Sequence, residues 1–155
     1  KNNIPNNITL HSGLYGDDVP KACSLTAKNL LSDGGLFFMC GIMLFKDNKP
    51  ADLNLVDMAN DGTLVIIHKA ISDIRTWEGM RLLYSCIPND ELLSEGIFDR
   101  IFSNNQYYNN VSWCIIVYKK GGVKGIHYVY NQPSDALLIA PDTIAKCLNI
   151  FERDI

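Results

Sequence analysis

The chain has 155 residues, a length that suits one domain around one core. Hydrophobic residues make up 47% and charged residues 20%, which excludes the apolar-poor, charge-rich make-up of a disordered chain. The formal net charge of -3 argues against a dedicated nucleic-acid binder, which carries a basic face, and is compatible with a basic protein partner.

Residues 1–8 read as a loose N-terminal segment, and Lys1–Asn7 contains no apolar signal-peptide core. Asp17-Asp18-Val19-Pro20 then reads as a helix start, with Asp18 or a neighbour as cap and Pro20 in the first turn. Ala22, Cys23, Ala27, Leu30 and Leu31 recur at helical spacing, and Asp33-Gly34-Gly35 stops the helix. Leu36–Phe45, LFFMCGIMLF, is the most hydrophobic run. It is about half the length that a membrane span needs, so it is predicted to be a buried strand with a bulge or close contact at Gly41.

After the turn Asp47-Asn48-Lys49-Pro50, the runs Leu53–Met58 and Thr63–His68 flank Asn60-Asp61-Gly62, which predicts a second hairpin. His68, at the end of that run, reads as structural. Ser72 or Asp73 caps a helix predicted to run to about Cys86, and Pro88 ends it. A further helix, from the cap Asn89-Asp90-Glu91 to about Phe102, turns Leu93, Ile97 and Ile101 inward. Its acidic residues Asp90, Glu91, Glu95 and Asp99 fall mainly on the outer side. Ser103–Asn110 is a polar loop carrying Tyr107 and Tyr108, a composition that binding loops favour.

Val111–Asn131, VSWCIIVYKKGGVKGIHYVYN, has two β-branched and aromatic runs about Gly121-Gly122. It is predicted to be a tight hairpin at the centre of the sheet, with Ile115 facing Tyr128 and with Cys114 and His127 sharing a face. Ala136–Ala140 forms a short extended piece, and Pro141 opens a last helix whose Ile144, Cys147, Leu148 and Phe151 share one side. The expected architecture is a single α+β domain over residues 1–155. It has a mostly antiparallel sheet, a central β-hairpin at 111–130 and about four helices packed on it.

The five cysteines (Cys23, Cys40, Cys86, Cys114 and Cys147) are odd in number, contain no CxxC and lie in apolar contexts. They read as reduced, buried thiols of a cytoplasmic protein rather than as a disulfide framework or a zinc site. No P-loop or GxGxxG is present, so no metal or cofactor is expected.

Two catalytic arrangements deserve weighing. A thiol and an imidazole diagonal to one another on a hairpin can serve as nucleophile and base. Ser112-Trp113-Cys114, a glycine turn and His127 on the return strand resemble the Cys–His hairpin of the cytotoxic-necrotising-factor type of glutamine deamidase. Those enzymes carry Ser-Gly-Cys where Trp113 stands here. Cys23 near a helix N-terminus, with His127 and either Asn131 or Asp135, follows the order of a papain-like triad. Neither arrangement comes with an orienting group or oxyanion donors in an evident motif. A small-ligand pocket over the Cys114 face is a third class. The expectation is therefore a non-catalytic protein-binding domain of the toxin-neutralising, immunity type, by analogy of size, charge and composition. Its contacts would come from Asp90, Glu91, Glu95, Asp99, Tyr107 and Tyr108, its partner would be another protein such as a basic toxin domain, and neither nucleic acid nor membrane would be involved.

Overall fold

The computed structural model describes residues 18–83, 108–131 and 140–153. Helix α1 (Asp18–Leu30) leads to strand β1 (Leu36–Lys46), the short β2 (Lys49–Pro50), helix α2 (Leu53–Met58) and strand β3 (Gly62–Asp73). Helix α3 (Trp77–Leu83), the long β4 (Asn110–Tyr130) and helix α4 (Pro141–Glu152) follow. The fold is α+β, around a mostly antiparallel sheet of hydrogen-bonded order β2-β1-β4-β3. Among the described residues no helix is long and apolar enough to cross a membrane.

β3 organises this sheet. Its Leu64, Val65 and Ile66 are wholly buried and Ile67 nearly so. A strand apolar on both faces needs cover on both faces, and its buried backbone groups need partners on both edges. β4 supplies both edges. Its first arm runs antiparallel to β3, with Leu64 opposite Tyr118 and His68 opposite Cys114. Its second arm returns on the far side of β3, with Leu64 opposite Ile126 and His68 opposite Tyr130. The two numberings there rise together, so this arm runs in the same direction as β3.

The two arms are therefore not neighbours, and the tight hairpin predicted at Gly121-Gly122 does not form. Ile66 lies between Ile116 and Tyr128, while Ile115 is opposite Ile67 on the other face from Tyr128. The glycines open the chain instead of closing it. Gly121 and Gly122 take φ of 82° and 83°, which glycine adopts without steric cost. The connection then crosses the start of β3, held by Gly121 N–H to the Asp61 carbonyl (2.9 Å), Gly125 N–H to the Ala59 carbonyl (2.8 Å) and the Thr63 hydroxyl to the Val123 carbonyl (2.7 Å).

One face of the sheet carries Leu64, Ile66, Cys114, Ile116, Tyr118, Met43 and Phe45, packed against Ala27 of α1 and Leu55 and Met58 of α2. The opposite face carries Val65, Ile67, Ile115 and Val129, packed against Cys147, Ile150 and Phe151 of α4. At its far end Leu44 and Val111 pack with Ile74, Met80 and the partly buried Tyr108.

Leu53–Met58, predicted as a hairpin strand, is helix α2. Asp52 caps it by accepting from the Asn54 N–H at 2.9 Å, and its other carboxylate oxygen accepts from the Ser24 hydroxyl of α1 at 2.5 Å. That buried carboxylate turns the segment into a helix and pins α1 to it. No register shift occurs at Gly41, where a bulge was expected. β3 continues through Ser72 and Asp73, predicted as helix caps, and α3 starts only after Thr76, whose hydroxyl accepts from the Gly79 N–H at 3.1 Å. A bulge does occur at Lys69, between the His68–Cys114 and Ala70–Trp113 pairs. The predicted helix at 89–102 and the core of the extended piece at 136–140 lie outside the described residues.

Gly62, where β3 begins beneath the crossing chain, tests this arrangement. A Cβ there would lie 2.3 Å from the Lys119 carbonyl oxygen and 2.7 Å from the Tyr118 hydroxyl. Gly62→Ala is expected to destabilise the fold by roughly 1–3 kcal/mol, since backbone and not a flexible tip must yield. Urea unfolding monitored by circular dichroism measures it, and a change within about 0.5 kcal/mol, typical of an unconstrained surface site, contradicts the packing.

Candidate binding surface

The sheet separates the residues of both proposed Cys–His arrangements. Cys114 shares a face with His68 and Ile116, whereas His127, opposite Val65, lies on the other. Cys114 is almost fully buried, and burial pushes its thiol up to about 12, so it is protonated and unreactive at neutral pH. The deamidase-like pair is thus corrected: insertion of β3 between the arms flips the relation that a hairpin would have given. Cys23 is exposed on α1, which packs on the face opposite His127, so the papain-like pairing fails as well. Its third member, Asp135, is outside the described residues. His127 Nε2 is buried without a hydrogen-bond partner, so that nitrogen is neither oriented by a second group nor joined to a thiol.

A different histidine is well placed, but for structure. His68 is buried, and its Nδ1 lies 2.7 Å from the Ser112 hydroxyl oxygen. That hydroxyl also lies 2.9 Å from the Ala70 carbonyl, and its one proton serves both neighbours only when His68 Nδ1–H is the donor to Ser112. Ser112 is therefore not activated by this imidazole. The ring packs among Phe45, Tyr128 and Tyr130 at centroid distances of 5.0, 5.8 and 5.1 Å. Burial lowers its pKa from the usual 6.5, because the cation would sit in an apolar box.

Of the predicted contact residues, Asp90, Glu91, Glu95, Asp99 and Tyr107 lie outside the described residues. Tyr108 is half-buried against the Leu44–Ile74 cluster and is not a free loop ring. Among the described residues no group of three His, Cys, Asp or Glu side chains is arranged to hold a metal ion.

The surface that stands out is β1. The run predicted to be a buried strand is buried only at its C-terminal end, Met43–Phe45. Leu36 and Phe38 are 67% and 63% exposed, and Cys40 is exposed too. The cause is position. β1 pairs with β4 along Leu36–Phe45, but among the described residues its other edge is met by β2 only, at Phe45 and Lys46. The Leu44 carbonyl accepts from Ala51 N–H on that outer side, and the Gly35 carbonyl accepts from Lys120 on the inner side. Since backbone groups alternate along a strand, Leu36, Phe38, Cys40 and Ile42 turn their N–H and C=O toward the open edge.

Two apolar grooves flank this edge. On one face, Ala22, Cys23, Thr26 and Leu30 of α1 border a space of about 630 Å³ with Phe37. On the other, Ile144, Leu148 and Phe151 of α4 border about 500 Å³ with Leu36 and Val117. Ile144 and Leu148 remain about half exposed. Cys23, Ala22 and Leu30, predicted as a core face, line the first groove instead, because α1 is docked through Ser24 and Ala27, its two buried residues. Sequence patterning missed this surface. An uncharged run of ten residues reads the same whether its flank is a neighbouring strand or solvent.

No protein-family model and no curated protein matches this chain.

Two outcomes follow from these environments. Cys23 and Cys40 are expected to react quickly with a thiol reagent in the native state, and Cys114 and Cys147 only after unfolding. Peptide mass spectrometry after timed alkylation reads this, and rapid native labelling of Cys114 would contradict it. Stability is also expected to fall as pH drops. The unfolded chain takes up the His68 proton first, so the stability that neutral His68 contributes is complete above about 6.5 and is lost as pH falls through the depressed folded value. Urea midpoints from about pH 8 to about pH 5 measure the slope, which should flatten in His68→Phe; an unchanged slope would remove His68 as its source.

Proposed function

We propose that this chain is a non-catalytic protein-binding domain that receives an extended polypeptide segment along the outer edge of β1. The observation that carries the reading is an open, uncharged strand edge with exposed Leu36 and Phe38, bordered on each face by an apolar groove. Main-chain groups at such an edge supply affinity by adding a strand, and grooves on both faces take alternate side chains. Natural edges are usually blunted by lysine, proline or inward charge, and Leu36–Phe45 has none of these. Separation of Cys114 and Cys23 from His127 by the sheet weighs against the enzyme alternative. An immunity-type role with a basic toxin domain suits the net charge of -3, but it draws nothing from this edge, which is neutral.

Selection from a displayed library of random peptides tests the reading. The wild-type chain is expected to enrich peptides rich in β-branched and apolar residues. Phe38→Lys, an exposed position, should lose them, while Cys114→Ala should keep them despite a stability loss on the order of 1 kcal/mol. No enrichment, or enrichment indifferent to Phe38→Lys, would count against it.

A further inference from the structure

Resting on the protein-binding reading, we propose that the strand received by β1 is β1 of a second copy, so that the chain forms a twofold homodimer through one continuous sheet. Three features of the edge select this occupant.

The first is charge. Residues 36–45 contain no charged side chain, so antiparallel self-pairing sets no like charges opposite one another. A charged partner strand would gain nothing here.

The second is register. The outward backbone groups belong to Leu36, Phe38, Cys40 and Ile42, and β2 closes the edge from Phe45 onward. Antiparallel pairing about a twofold axis at Met39 sets Leu36 opposite Ile42 and Phe38 opposite Cys40 of the other copy. These are hydrogen-bonding positions on both strands, and every outward group of the four residues is used. Moving the axis to Cys40 would set Leu36 opposite Leu44, whose carbonyl already accepts from Ala51. The Met39 register also leaves both copies of β2 beyond the ends of the paired segment. Such an interface is isologous and closes as a dimer, so it does not propagate into a fibre.

The third is apolar area. A stable interface needs about 800 Å² per partner, more than a bare strand edge provides. Exposed Leu36 and Phe38, with Ile144 and Leu148 of α4 bordering the groove beside Leu36, add apolar side chains to that edge.

Sedimentation velocity of the reduced chain, from micromolar to submillimolar concentration, tests the inference. The wild type is expected to sediment at twice the chain mass. Phe38→Lys, which places a charge on the exposed face, and Cys40→Pro, which removes one outward N–H and leaves the β1–β4 ladder intact, should both run as monomers with native circular dichroism. A wild type that is monomeric throughout would overturn self-pairing. Under that result the peptide selection still reports separately on protein binding, since enrichment that Phe38→Lys abolishes would point to a foreign strand as the occupant. A folded Phe38→Lys chain that remains dimeric would also overturn it, because the dimer would then use another surface.

Discussion

Everything in this fold leans on the pairing of β3 with both arms of β4. Leu64, Val65, Ile66 and Ile67 are the innermost run of the chain. Burying each stabilises by roughly 1.5–3 kcal/mol, but only if the strand's backbone groups are paired on both sides. One long strand that passes β3, crosses its start and returns on the far side meets that requirement. The consequences reach outward. α1 and α2 are set on one face and α4 on the other, Cys114 is sealed next to His68, and His127 is placed where no cysteine of the opposite face can meet it.

The same arrangement leaves β1 at the margin. With the first arm of β4 and β3 filling the centre and the second arm at the opposite margin, the most hydrophobic run of the sequence has, among the described residues, one neighbour instead of two over most of its length. α1 and α4 approach it from either face, and neither closes over Leu36 and Phe38. An edge of this composition is a hazard for a chain with no occupant. A self-complementary register that closes after two copies removes the hazard and gives the exposed residues a role.

How much of this was readable from the residues differs by element. The α+β class, the extent of both arms of β4 and the helix opened by Pro141 follow from period and punctuation, which are local properties. The partner of each strand is not local. Gly121-Gly122 carries the chemistry of a tight turn and of an open crossing equally well, since both use positive φ. Only the demand of β3 for two edges decides between them. Leu53–Met58 misled in another way: its alternating Leu53 and Leu55, followed by the β-branched Val56, suit a strand, yet the cap from Asp52 and the bond from Ser24, 28 positions earlier, make it helical. The candidate surface was least legible of all. Nothing in LFFMCGIMLF distinguishes a central strand from an unguarded edge, and the acidic residues Asp90, Glu91, Glu95 and Asp99 lie outside the described residues.

The placement of β3 between the arms is best tested by cross-strand nuclear Overhauser effects in solution. The account predicts backbone contacts from Ile66 to both Ile116 and Tyr128, and none between the backbones of Ile115 and Tyr128. Direct backbone contacts between Ile115 and Tyr128, with Ile66 touching only one arm, would restore the simple hairpin, return His127 to the face of Cys114 and contradict the account at its root.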